Sequence, residues 1–253
     1  MNCGRTLRTA WRGARVAGSL ALAFVTYFLR VALPRQSHSV KARAAWLQGE
    51  AQRLLRALGV EARYLGEPPV SGVLVSNHIS YLDIVVHAAH TPLVFISKAE
   101  VENWPVFGTL TRWAGTLFIQ RERRGDVVRV AGEMTAVMDG GAVLTFFPEG
   151  TSSDGNRLLP FRASLLAPLV EHGWQVTPAA LRYGLEPGDG AVEDEVAYYR
   201  EETVFGTHLL HLLGKRRIFA TVTYGHAQAP GDDRKVLAHC LREEIRALGG
   251  FPE

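Results

Sequence analysis

Six short apolar runs, each bounded by turn or polar residues, constrain the fold of this chain most. They are GVLVS (72–76), LVFIS (93–97), TLFIQR (116–121), AVLTFF (142–147), QVTPAAL (175–181) and IFATVTY (218–224). Runs of this length, rich in β-branched and aromatic residues, read as buried strands. Between them the pattern turns helical. Val40, Ala44, Leu47, Ala51, Leu54 and Leu58 recur at helical spacing until Gly59. Residues 126–138 run from Asp126 to the Gly140-Gly141 stop, residues 162–172 end at Gly173, and a last helix is capped by Asp232 or Asp233 and stopped by Gly249. Strands alternating with helices predict an α/β domain with a mixed, largely parallel central sheet flanked by helices. The domain is expected over residues 61–253, behind a helical, membrane-associating region at 1–60.

Charge separates those two regions. The first 60 residues carry ten Lys/Arg against one acid, Glu50, which leaves 18 basic and 24 acidic residues in the remainder. A basic arm on a mildly acidic body suits an anionic membrane surface. The arm also contains VAGSLALAFVTYFL, Val16 to Leu29, preceded by four arginines and followed by Arg30 and Arg35. This run of 14 residues falls short of the roughly 20 that a full span needs. A helix lying in the interface, a short or tilted span, and a signal segment all remain open, although no clear small-residue cleavage site follows Leu29. Six arginines around so short a run argue against a buried core helix. The two cysteines, Cys3 and Cys240, sit in no CxxC or Cys/His cluster, which speaks against a structural metal or disulfide framework and fits a reducing compartment.

Three stretches carry candidate chemistry. In SNHISYLDIV, His78 and Asp83 stand at i, i+5. On a regular helix they would point about 140° apart, so they meet only if the chain turns between them. A strand ending at Ser76 and a helix starting near Tyr81 would supply that turn. Asp83 could then accept a hydrogen bond from the imidazole Nδ1–H and leave Nε2 as a base. Spacing alone leaves open the plainer alternative of a turn histidine and a first-turn acid favoured by the helix dipole. In FFPEGTSSDG, an apolar strand ends at Phe147 and gives way to a glycine and hydroxyl residues, where backbone N–H groups can approach an anion. In TLFIQRERRGD, Arg121 ends a strand and its fork suits phosphate. The HxxH pairs His87/His90 and His208/His211 lack partnering carboxylates or cysteines at ligand spacing, so no metal site is expected. No GxSxG elbow is present.

Taken in order, these stretches resemble the blocks of the glycerolipid acyltransferase family. NHISYLD resembles its NHxxxxD signature. Lys98, Trp104-Pro105-Val106-Phe107-Gly108, Gly115, Phe118-Ile119 and Arg121 resemble its second block. Phe147-Pro148-Glu149-Gly150-Thr151 resembles the third and Val176-Thr177-Pro178 the fourth. The resemblance implies an O-acyltransferase with His78 as general base and Asp83 orienting it. Arg121, Glu149, Gly150 and Thr151 would contact the acceptor. No cofactor is implied beyond an acyl-CoA or acyl carrier protein thioester as co-substrate. The implied acceptor is a lysolipid, 1-acylglycerol-3-phosphate first and lyso-ornithine lipid as the alternative. The implied setting is the cytoplasmic face of the inner membrane. The family often has arginine after the Gly-Thr of the third block; here Ser152 stands there, and Arg157 or Arg162 would have to replace its charge. A lipid hydrolase using the same dyad and a non-catalytic membrane-binding module are the rivals from other classes.

Overall fold

The computed structural model of the chain describes residues 3–120 and 124–253, and for 124–128 the backbone only. Its seven-stranded sheet runs, edge to edge, β1 (Val60–Leu65), β7 (Ile218–Tyr224), β6 (Val176–Leu185), β2 (Val73–Ser76), β5 (Val143–Phe146), β3 (Leu93–Lys98) and β4 (Leu117–Ile119). Neighbours are parallel except β6 and β7. The helices are α1 (Cys3–Tyr27, extended by a π turn over Phe28–Ala32), α2 (Val40–Leu58), α3 (Leu82–His90), α4 (Phe107–Ala114), α5 (Arg124–Asp139), α6 (Ala167–His172), α7 (Val192–Glu195), α8 (Phe205–Leu213) and α9 (Arg234–Gly249). This is the expected mixed, largely parallel α/β architecture.

A parallel sheet centre must be covered on both faces, and every residue of β2 is buried. On one face Leu74, Val86, Leu181 and Leu212 pack with helices α1, α2, α3 and α8; on the other Val75, Leu144, Leu169 and Leu241 pack with α5, α6 and α9. The helix read at 40–58 has those bounds, opened by the Ser39 side chain accepting from Ala42 N and closed by Gly59 at φ 74°.

Helix α1 is tied to the domain more closely than its composition suggests. Val16 belongs to the central core cluster. Arg12 is buried, and its guanidinium donates to the carbonyls of Lys215 at 2.5 Å, Arg216 at 2.9 Å and Leu213 at 3.4 Å. Arg8 Nε donates to Gly214 O at 3.1 Å. These carbonyls lie at and just past the end of α8, where a helix leaves acceptors unsatisfied and favours positive charge. The arginines ahead of the apolar run are therefore divided: Arg8 and Arg12 bond the protein's own carbonyls, whereas Arg5 and Arg15 are exposed. Arg12→Ala strands three carbonyls. At about 1.5–3 kcal/mol for hydrogen bonds from a charged donor, it is expected to lower the thermal midpoint by roughly 5–10 °C. Arg15→Ala on the same helix should stay within about 2 °C. Thermal unfolding followed by circular dichroism compares the two, and equal shifts would contradict the cap.

Candidate active site

The site is built at the carboxyl ends of β2 and β5, where open α/β sheets place ligands. β2 ends at Ser76, and Asn77 then continues its pairing through the side chain. Leu181 N donates to Asn77 Oδ1 at 2.7 Å, and Nδ2 donates to Leu181 O at 3.0 Å. A carboxamide here imitates one more peptide unit of the ladder, which fixes where the next residue, His78, leaves the sheet.

The chain then turns, as the i, i+5 spacing required. Asp83 lies in the first turn of α3 and is fully buried. Its Oδ2 accepts from Ile79 N at 2.6 Å and Ser80 N at 3.0 Å, and lies 2.7 Å from His78 Nδ1. Tyr183 OH donates to Oδ1 at 2.8 Å. The other neighbours of this carboxylate are donors, so the Nδ1 contact is an imidazole N–H donating to it, and Nε2 carries the lone pair. The imidazole also stacks on Phe147, with ring centres 4.2 Å apart and planes within 7°. Its side chain is 21% exposed, enough for Nε2 to meet a substrate.

The loop after β5 grips the backbone of the same histidine. His78 N donates to Glu149 Oε1 at 2.7 Å, Leu159 N donates to Oε2 at 2.8 Å, and Ser153 N donates to His78 O at 2.8 Å. Glu149 is only 2% exposed. Burial pushes its carboxyl up to about 7, with the charge of Asp83 adding to the effect; the two backbone donors and Arg242 oppose it. The resemblance grouped Glu149 with the acceptor contacts. In the structure it is buried, with one oxygen accepting from the amide of His78 and the other from that of Leu159. Gly150 is buried at φ 77°, a conformation that favours glycine, and Thr151 is exposed beside it. Arg121, the remaining sequence-derived contact, lies outside the described residues.

His87 sits one helical turn beyond Asp83 and is wholly buried. Burial holds it down to about 4, so its ring is neutral at pH 7, and it has no solvent-exposed face to offer a substrate. Of the other HxxH histidines, His90 stacks on Tyr64, His208 bonds the Tyr81 hydroxyl, and His211 is exposed.

Asn77, Phe147, Ser153 and Tyr183 complete the constellation and were not singled out as site residues from sequence. Only Asn77 and Phe147 lie inside recognisable blocks. An apolar groove opens beside the dyad loop, starting at Tyr81 and Leu82, passing Phe107 and Ile84, and reaching Trp46 and Ala114 between α1, α2 and α4. The lining begins in the His78–Asp83 turn, and an apolar groove next to an imidazole suits a hydroxyl carried on a lipid chain.

Comparison with known proteins agrees with that chemistry. Residues 66–182 match the Acyltransferase family. The lyso-ornithine lipid O-acyltransferase of Pseudomonas aeruginosa is 34% identical over 247 residues, covering 95% of this chain and 93% of that protein. The 1-acyl-sn-glycerol-3-phosphate acyltransferase of Neisseria gonorrhoeae is 32% identical over 194 residues, covering 76% and 74%. The crystal structure of the 1-acyl-sn-glycerophosphate acyltransferase from Thermotoga maritima shares the fold, with a TM-score of 0.68 over 96% of this chain and 95% of that one at 16% identity. Likeness over nearly the whole of an O-acyltransferase replaces the hydrolase and non-catalytic readings: this chain belongs to the Acyltransferase family and is a lysolipid acyltransferase.

Proposed function

We propose that the chain transfers a fatty acyl group from a thioester, acyl-CoA or acyl carrier protein, to the hydroxyl of lyso-ornithine lipid, with His78 as the base. His78 Nε2 takes the hydroxyl proton as the oxygen attacks the thioester carbonyl. The C–O bond forms, the C–S bond breaks, and the imidazolium returns its proton to the departing thiolate. Asp83 keeps Nδ1 protonated and offsets the charge that develops on the ring. A thioester is already acylating, so base, orientation and a dry groove suffice. Glu149 and Ser153 position the histidine's backbone. Gly150 and Thr151 border the acceptor, and Arg121 keeps the headgroup role its sequence position implies.

Ser152 carries the acceptor assignment. It stands where the family often has arginine, and its hydroxyl donates to Tyr198 O, which leaves no charge at that point for a phosphate. The full-length likeness to a lyso-ornithine lipid O-acyltransferase supports it. A second reading, 1-acylglycerol-3-phosphate, draws support from Arg157 and Arg162. Both are exposed and flank the Leu159 amide that binds Glu149. The purified protein with labelled acyl thioester and both lysolipids decides between them. The expected result is a kcat/KM at least about tenfold higher for lyso-ornithine lipid, equivalent to about 1.4 kcal/mol. A reversed ratio assigns the phosphate acceptor.

We also infer that α1 lies in the membrane interface on the cytoplasmic side, where thioester donors are made. Its contacts with the domain run from Arg8 to Tyr27, which stacks on Trp113 at 4.1 Å. That is about 28 Å of helix, close to the whole hydrocarbon thickness. A spanning α1 would pull the domain's polar surface into lipid. Lying flat, it offers Leu22, Val25, Phe28 and Leu29, all exposed, to the acyl region.

A further inference from the structure

Tyr183 stands just beyond the reach of the family match, which ends at residue 182. It lies on β6 past the point where β2 stops: Ser76 pairs with Ala179, and Tyr183 comes four residues later, opposite Ala220 of β7. Alternation along β6 puts it on the face of Ala179 and Leu181, the face that packs against α3. There its hydroxyl meets Asp83 Oδ1 at 2.8 Å. Oδ2 already takes Ile79 N, Ser80 N and His78 Nδ1. Among the described residues, Tyr183 is the donor on the other oxygen.

We propose that Tyr183 is a positioning residue of the acyl-transfer reaction, fixing the rotation of Asp83 and drawing off part of its charge so that His78 stays a free base at lower pH. The inference rests on the reading of His78 as the base. A carboxylate with no donor on Oδ1 could swing about its Cβ–Cγ bond and release Nδ1. It would also concentrate its charge on the imidazole and favour the imidazolium, which cannot accept the substrate proton. The positive end of the Tyr183 O–H dipole counters both effects. Burial and the neighbouring Asp83 charge push the phenol well above its usual range, so it remains a donor throughout the working pH.

Other groups face this pair. Glu149 comes from the loop after β5 and is itself influenced by Arg242 of α9; His87 belongs to α3; Tyr81 begins it; Tyr64 comes from β1. Because Glu149 titrates near neutrality, His78 itself has to be watched rather than activity alone.

The test is a pH titration of the full-length chain in detergent, with histidine rings isotopically labelled. The His78 NMR signal is assigned by its absence in His78→Gln. In Tyr183→Phe the His78 midpoint should rise by about half to one pH unit, and the acid limb of kcat/KM should follow it, with KM little changed. Incorporating 3-fluorotyrosine at position 183 gives a near-isosteric, stronger donor. It should move the midpoint the other way, and it carries the test if Tyr183→Phe fails to fold. A purely structural tyrosine would lower thermal stability without this change of sign. Unmoved midpoints in the folded variants overturn the proposal. If the midpoints move as stated while folded His78→Ala still transfers acyl groups, the base assignment falls and the Tyr183–Asp83 linkage survives.

Discussion

His78→Ala lowers acyl transfer by about 10²–10⁴-fold, the span of a general base, and leaves the protein folded. The separation of activity from stability follows from where the side chain sits. The imidazole lies at the edge of the cleft, with one face on Phe147 and one nitrogen on Asp83. Removing it leaves Asp83 still held by Ile79 N, Ser80 N and the Tyr183 hydroxyl, so no buried carboxylate is left without donors. The loop backbone is also unaffected, because Glu149 and Ser153 bind the peptide N–H and C=O of residue 78, whatever its side chain. Asp83→Asn should be less clean. It keeps the shape but turns an acceptor toward some donors and a second donor toward others, so activity falls and the loop loosens together. Labelled thioester and lysolipid, with product resolved from free fatty acid, give the transfer rate; circular dichroism gives the fold. Near-normal turnover by a folded His78→Ala protein would remove His78 from the mechanism.

The parts of this site that were legible in the sequence share a cause: their information is local. His78 and Asp83 are five residues apart, and the apolar strand before them and the helix after them show in the same short window. Helix α2 was readable to the residue because its apolar period starts at Val40 and runs unbroken to the Gly59 stop; the Ser39 cap that opens it emerged from the structure. Strand β1 was not foreseen. It is an edge strand whose Glu61 and Arg63 face solvent, so only half its residues look like a strand. The short helices α4 and α8 were missed for a different reason: eight or nine residues give the helical period little room to repeat. The two contacts that hold the dyad loop from across the sheet were beyond reach. Asn77 meets Leu181 across 104 positions, and Tyr183 meets Asp83 across 100. Neither spacing has a periodic signature; the register of β6 on β2 creates both. The inward turn of Arg12 was hidden for the same reason. Its composition resembled a lipid-facing arginine, and only the end of α8, two hundred residues away, decides otherwise.

Glu149 should prove to be the most pH-sensitive contributor to stability in the site, and its replacement the most damaging to the fold. Glu149→Ala leaves the part-buried amides of His78 and Leu159 without their acceptors. At about 1–3 kcal/mol each this removes a large share of the roughly 5–15 kcal/mol that holds a domain together, and it should lower the thermal midpoint by roughly 10–20 °C. Glu149→Gln separates charge from shape. Its carbonyl can still accept from one amide, but its NH₂ meets the other donor to donor, so it too destabilises, by less. The pH dependence distinguishes it from the native residue. Burial raises the Glu149 carboxyl from its usual 4.5 to about 7, so between those values the folded protein binds the proton and the unfolded chain does not. The stabilising contribution of protonation is therefore fully present below about pH 4.5 and is lost as pH rises through 7. A shift of that size bounds the loss at about 3 kcal/mol. Wild-type stability should fall across that window relative to Glu149→Gln, which has no proton to release there, and the gap between the two should narrow toward pH 7.5. Catalysis adds a second consequence. The amide that Glu149 holds belongs to His78, the proposed base, and a displacement of about 1 Å at a reacting group costs about 100-fold in rate. Chemical unfolding of both proteins in detergent at pH 4.5, 6 and 7.5 supplies the comparison. Parallel stability curves across that range would mean that Glu149 does not hold its proton in the folded state.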